Sequence, residues 1–309
     1  MSKTALLFAG QGAQVVGMGK DLAEGSAAAT GWFERANSVL GYDLASICFN
    51  GPETELTKTE HAQPGIFLVS WVALQMLRER VPALAFEATA GLSLGEFTAL
   101  TAAGAIGFED GLKIVRRRGQ LMQRACEVTR GTMAAIIGLE EAVTREICAQ
   151  TGVVLANLNC PGQLVISGEL AKIEQACEQA KAKGARRALP LPVAGAYHSP
   201  LMESAQAGLR SELDAIAIQP PAVTVVSNVT AQPHPDPAAI RSRLVEQVTA
   251  SVRWEESMRY LLAQGFTRFI ELGPGTALSG FMKRIDKNAV MLNVADRQSL
   301  EATVKAIAS

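Results

Sequence analysis

The sequence predicts an α/β fold: a large, mainly parallel-sheet core with a small antiparallel subdomain inserted into it. Three observations point there. Short apolar runs alternate with helix-length stretches along the chain. A Gly-x-Ser-x-Gly pentapeptide, Gly91-Leu92-Ser93-Leu94-Gly95, stands between an apolar run and a helical pattern. The middle of the chain, residues 129–196, reads βαββαβ, the ferredoxin-like order, so the core is expected from residues 1–128 and 197–309.

In order, Ala5–Ala9 is strand-like and runs into the loop Gly10-Gln11-Gly12-Ala13-Gln14. Helical periodicity follows over Ala27–Leu40 and Pro64–Glu79. A short strand over Glu87–Ala90, the turn Gly91–Gly95 and a helix over Glu96–Ala103 come next, then a long helix over Glu109–Glu127. In the insert, Met133–Ile137, Val153–Asn157, Leu164–Ser167 and Arg187–Val193 read as strands, with helices over Glu140–Gln150 and Leu170–Lys183. The core resumes with a helix over Pro200–Ala217, a strand over Val223–Ser227, a proline-rich loop (Gln232–Pro237) and two further helices. It closes with a strand over Arg268–Leu272, a Gly273-Pro274-Gly275 turn, a helix to Ile285 and a strand over Val290–Val294.

Composition excludes several classes. With 48% hydrophobic residues and a formal net charge of −1, the chain is neither disordered nor provided with a basic field for nucleic acid. No apolar run approaches the roughly 18 residues of a membrane span, and the first residues lack the long apolar region of a secretory signal. The five cysteines, Cys48, Cys126, Cys148, Cys160 and Cys177, contain no Cys-x-x-Cys pair. They read as reduced thiols of a cytoplasmic protein, and no metal site is expected.

The Gly-x-Ser-x-Gly turn fits a nucleophile elbow on a serine-hydrolase-like core: it would lift the Ser93 hydroxyl clear and aim the Leu94 N–H at a developing oxyanion. The pentapeptide alone also fits a plain tight turn. A serine needs a base, and the chain has three histidines. His234 lies between prolines in a polar loop, a poor place for a fixed orientation. His61 sits at a helix start, where it can simply be solvated. His198, at the end of the insert, stands where a cleft between subdomains is expected, and is favoured by elimination and position.

On a helical wheel of about 100° per residue, Leu112, Val115, Gly119, Met122 and Cys126 share one face, and Arg118 interrupts it. A guanidinium there needs an anion: either a core carboxylate in a structural ion pair, or a substrate carboxylate held by two parallel hydrogen bonds. Gly10-Gln11-Gly12 is no dinucleotide fingerprint, because Val15 replaces the third glycine. The Gly273-Pro274-Gly275 turn either binds an anion at a helix start or merely connects. Lys181, Lys183, Arg186 and Arg187 form either a solvated face or a surface for an acidic partner.

Together these segments resemble the malonyl-CoA:acyl carrier protein transacylase family of type II fatty-acid synthesis. The resemblance spans nearly the whole chain. It is carried by Phe8–Gln14, Gln63-Pro64, Gly91–Glu96, Arg118-Gly119, Met122-Gln123, Asn159–Gly168, Tyr197–Met202, Ser227–Val229, Val252–Trp254 and Glu271–Gly275. It implies Ser93 as nucleophile, His198 as its base, backbone N–H groups of Gln11 and Leu94 as oxyanion hole, and Arg118 with Gln63 in the acyl pocket. It places the backbone carbonyl that orients the histidine at Arg253. It also implies malonyl-CoA as substrate, acyl carrier protein as partner, no cofactor beyond the phosphopantetheine that the partner carries, and a monomer. Two positions depart from the commoner pattern: Leu92 where many members have His, and Ala9 where many have Pro. The aromatic Tyr197 before the histidine goes with malonyl in related polyketide acyltransferases. The alternatives are a stand-alone polyketide-synthase acyltransferase, an editing acyl hydrolase and a non-catalytic carrier-binding scaffold.

Overall fold

The computed structural model describes residues 3–308; Met1, Ser2 and Ser309, the outermost residues of the expected core segments, lie outside the described residues. The first core segment contains β1 (Lys3–Phe8), α1 (Lys20–Glu24), α2 (Ala27–Leu40), α3 (Leu44–Asn50), α4 (Glu53–Leu56), α5 (Thr59–Arg80), β2 (Ala88–Gly91), α6 (Leu94–Ala102) and α7 (Phe108–Val128). A four-stranded unit follows: β3 (Gly131–Ile137), α8 (Glu141–Thr151), β4 (Val154–Cys160), β5 (Gln163–Glu169), α9 (Leu170–Ala182) and β6 (Arg187–Pro190). A 3-10 turn (Pro200–Met202) leads into α10 (Ser204–Asp214), β7 (Thr224–Val226), α11 (Pro237–Glu246), α12 (Trp254–Ala263), β8 (Phe266–Leu272), α13 (Ala277–Ile285), β9 (Val290–Val294) and α14 (Arg297–Ala308).

The core sheet has the order β7-β2-β1-β8-β9, with every pair parallel. A parallel strand is covered on both faces and so carries apolar residues at every position. In β1, Leu6 and Phe8 join the cluster that includes α5, α6 and α7, while Ala5 and Leu7 pack on the opposite face with Trp254, Met258, Leu278 and Met282. Phe8 stands opposite both Gly91 and Leu272, so the loops after β1, β2 and β8 leave the sheet at one edge. That carboxyl edge is where open parallel sheets place their sites.

The second sheet has the order β4-β5-β3-β6, all antiparallel, as βαββαβ units require. One face buries Ala134, Ile136, Leu155 and Ile166 under Ile147, Ile173 and Ala176 of α8 and α9. Met133, Ala156 and Val165 belong instead to the main core cluster. A backbone bridge joins the two sheets' segments: Val252 N–H donates to Ala156 O and Leu158 N–H to Val252 O.

Element bounds follow local chemistry where caps exist. Helix α2 keeps its expected limits because Ser26 Oγ accepts from Ala29 N–H and Gly41 closes the end at φ 74°. Helix α5 begins five residues before the expected Pro64, because tertiary contacts outweigh the N–H that proline lacks: Thr59 is buried, and its hydroxyl bonds Tyr197 Oη at 2.7 Å. The expected helix Pro200–Ala217 splits, since Ser199 Oγ accepts from Leu201 N–H and caps a separate 3-10 turn. Helix α14 lies beyond the last expected element, although Asp296 accepts from Ser299 N–H as a readable cap. Among the described residues no helix is long and apolar enough to cross a membrane.

Candidate active site

Ser93 joins β2 to α6 at φ 53°, ψ −103°, a strained conformation that only close packing sustains. Both flanking glycines are required by contact. A Cβ on Gly91 would meet the Gly95 carbonyl carbon at 1.9 Å, and one on Gly95 would meet Phe8 O at 2.2 Å. From the end of β7, Asn228 fastens the turn: its Oδ1 accepts from Ser93 N–H at 2.6 Å and its Nδ2 donates to Gly91 O at 2.8 Å. Leu94 opens α6, so its N–H lies in the first turn, where no intrahelical acceptor exists. Gln11 stands in the loop after β1, with its Oε1 3.5 Å from Gln63 Nε2.

His198 is buried, with Nε2 2.8 Å from Ser93 Oγ. Its Nδ1 lies 2.8 Å from the backbone oxygen of Gln247. A carbonyl only accepts, so Nδ1 carries the proton and Nε2 presents its lone pair to the hydroxyl. Burial, and then the Arg118 charge, push the imidazole pKa down from 6.5 to about 4, which leaves it neutral near pH 7 with the Nε2 lone pair free to accept a proton. The orienting carbonyl is therefore Gln247's, and the expectation of Arg253 is corrected. Arg253 precedes α12, and its oxygen is taken by Ser257 N–H at 3.0 Å and Ser257 Oγ at 2.9 Å. Gln247 follows α11 instead, where its carbonyl is free to turn toward His198.

Arg118 lies on the inner face of α7, 1% exposed. Its Nη1 donates to Gln63 Oε1 at 2.8 Å, and its Nη2 to Ser93 Oγ and to Gln247 Oε1, each at 3.0 Å. Nε is buried and has no hydrogen-bond partner among the described residues. The guanidinium lies over the Phe97 ring, 5.4 Å from its centre. Burial lowers its pKa to about 10, against the opposing pull of Glu96. Among the described residues no carboxylate touches it directly; its acceptors are two amides and the serine. A site that holds a cation with neutral groups has room in its charge balance for an anionic ligand.

Beneath this row lies a second one that no local sequence pattern brings together. Glu96 is fully buried: Oε2 accepts from Asn228 N–H at 3.0 Å and Gln247 Nε2 at 2.6 Å, and Oε1 from His234 Nε2 at 2.8 Å. His234, expected in a poorly oriented loop, is thus buried against a carboxylate, and its N–H bonds Val225 O. Nothing local marks Gln247 out: it stands beside the equally polar Glu246 between Val245 and Val248, and only the fold buries one and exposes the other. His61 is partly exposed in the first turn of α5, with Nδ1 3.0 Å from Glu55 O.

The remaining candidates are accounted for locally. Glu271 fills the start of α13 after the Gly273-Pro274-Gly275 turn, accepting from Leu278 N–H, Ser279 N–H and Ser279 Oγ at 3.0, 2.8 and 2.6 Å. That helix start already holds the chain's own anion. Leu92 packs against the apolar cluster beneath α12 and α13. Lys181 pairs with Glu178, and Lys183 with Glu146.

Comparison with known proteins gives the family of the chain. The acyl transferase domain family matches residues 5–298. The chain belongs to the acyl transferase domain family. Within that family it is 43% identical over 312 residues to the malonyl CoA-acyl carrier protein transacylase of Bacillus subtilis (strain 168), covering 99% of this chain and 98% of that one. Its structure resembles the acyl-carrier-protein S-malonyltransferase of Burkholderia pseudomallei 1710b, with a TM-score of 0.95, 41% identity and 98% and 99% of the two chains covered. It also resembles a malonyl-transacylase solved in complex with its type II PKS acyl-carrier protein, with a TM-score of 0.95, 38% identity and 99% and 100% coverage.

Proposed function

We propose that this acyl transferase moves the malonyl group from malonyl-CoA to the phosphopantetheine thiol of acyl carrier protein, through a malonyl ester on Ser93, in support of fatty-acid synthesis. The observation that carries the reading is the position of Ser93 Oγ, 2.8 Å from His198 Nε2 and 3.0 Å from Arg118 Nη2. One hydroxyl meets both a neutral base and a cation able to hold a substrate carboxylate.

In the first half-reaction Ser93 Oγ attacks the thioester carbonyl while His198 Nε2 takes its proton. Gln247 O holds the Nδ1–H and stabilises the imidazolium that forms. The N–H groups of Gln11 and Leu94 receive the oxyanion, each donor being worth about 3 kcal/mol. The C–S bond breaks, and the CoA sulfur leaves with the proton from His198. Arg118 holds the malonyl carboxylate through its fork, to which the unpartnered Nε contributes a donor, and Gln63 keeps the other end of the guanidinium in place. In the second half-reaction the carrier's thiol gives its proton to His198 and attacks the ester carbonyl; the C–O bond to Ser93 breaks and His198 returns the proton to Ser93 Oγ, so the kinetics are ping-pong. The chemistry draws on no cofactor: CoA is a substrate and phosphopantetheine arrives on the partner. We place the enzyme in the cytoplasm as a monomer.

Incubation with malonyl-CoA followed by intact mass tests this reading. One added malonyl group on the wild-type chain and none on Ser93→Ala is expected; a labelled Ser93→Ala would remove Ser93 from the mechanism. A polyketide carrier is a second reading, favoured by the likeness to the transacylase solved with one. Comparing kcat/KM for carriers of the two pathways separates them.

A further inference from the structure

We infer that Gln247 and Glu96 are positioning residues that set acyl-group selectivity, acting through Arg118; this rests on the reading of Arg118 as the carboxylate-binding group. The argument starts from which atoms can donate. The Gln247 side-chain amide faces three acceptors with Nε2: Glu96 Oε2 at 2.6 Å, Ser93 O at 3.0 Å and, more distantly, Asn228 Oδ1 at 3.4 Å. None of these can donate, so the NH2 end must point toward them, and Oε1 is left for Arg118 Nη2 at 3.0 Å. Glu96, whose Oε2 accepts from Asn228 N–H and Gln247 Nε2, thereby fixes the amide's orientation, and the amide fixes the fork.

Glu96 is itself held on three sides. Asn228 N–H and Gln247 Nε2 occupy Oε2, and His234 Nε2–H occupies Oε1, all in fully or nearly fully buried surroundings. Gln247 also gives His198 its backbone carbonyl. One residue thus serves the base with its main chain and the carboxylate-binding cation with its side chain. The two services are separable, because the first needs no side chain.

The separation supplies the test. Replacing Glu96 by Gln keeps its size but adds an NH2 group, which lets the Gln247 amide turn and present hydrogens to Arg118. Replacing Gln247 by Met removes both amide arms and leaves the carbonyl to His198. The readout is the ratio of kcat/KM for malonyl-CoA to that for acetyl-CoA, measured by acyl-enzyme mass. A loss of folded enzyme lowers both rates equally and leaves the ratio alone. In each variant the ratio should fall about tenfold or more, as expected for a lost hydrogen bond to a charged group, with Glu96→Asp falling less than Glu96→Gln. A ratio within twofold of wild type in either variant overturns the proposal. Arg118→Ala, measured alongside, distinguishes the two levels: if it too leaves the ratio unchanged, the carboxylate reading fails, whereas a collapsed ratio there with Glu96→Gln and Gln247→Met unchanged overturns only the positioning roles.

Discussion

His198 shows how burial tunes a single group. Its pKa, pushed down to about 4 by burial and then by Arg118, keeps it neutral well below the usual histidine range. Acylation by the free enzyme should therefore hold from pH 7 to about pH 5 with no inflection near pH 6.5. A pH profile of kcat/KM that titrates at 6.5 would show the imidazole to be solvated. The same shift has a stability sign. Between about pH 6.5 and pH 4 the unfolded chain binds a proton that the folded one refuses, so this contribution is complete above pH 6.5 and is lost as the pH falls toward 4. Arg118 carries the second residue-scale prediction. Truncating one partner of a desolvated, charge-assisted pair costs about 2–5 kcal/mol. Arg118→Ala should thus slow loading from malonyl-CoA by roughly 30-fold to a few thousand-fold, and spare or improve loading from acetyl-CoA, which has no carboxylate. Equal losses for both thioesters would make Arg118 a structural cation.

Elements matter here through their ends. The turn between β2 and α6 works because two glycines let α6 start directly against the backbone of β1. Gly95→Ala would put a methyl group 2.2 Å from Phe8 O, a backbone atom in the central strand that cannot yield. The expected cost is at least 1–3 kcal/mol, seen as a lower Tm, together with loss of acylation as Ser93 is displaced. A variant with wild-type Tm and rate would mean that the elbow has slack. Helices whose caps are local, such as α2, were legible to the residue. Helix α5 was not, since its first turn is held by Tyr197, a partner distant in sequence.

At the scale of the molecule, the two sheets are joined at the Val252 bridge and again by Arg284, whose Nη2 donates to Pro161 O at 2.6 Å and Nη1 to Gln163 Oε1 at 3.1 Å. Arg284 is thereby engaged within the chain, and of the basic run expected to meet an acidic partner Lys181 and Lys183 are occupied by Glu178 and Glu146. The exposed Lys283, Arg186 and Arg187 are the stronger candidates for docking. Charge reversal at Arg186 with Arg187, or at Lys283, should raise KM for carrier protein at low salt and leave malonyl-CoA loading alone. Unchanged KM in both would move docking to another face.

The alternation of apolar runs, the strand–turn–helix around Ser93 and the inward face of α7 with Arg118 upon it were all determined by sequence alone. Each is a short-range pattern, because helix and strand periodicity depends only on neighbours along the chain. The tertiary structure decided the rest. The carbonyl beside His198 belongs to Gln247, not Arg253, and a main-chain oxygen leaves no mark in residue type. His234 became a buried partner of Glu96 across 138 positions of chain. Such contacts are chosen by which loops the sheet order brings to one edge, and no local pattern encodes that order.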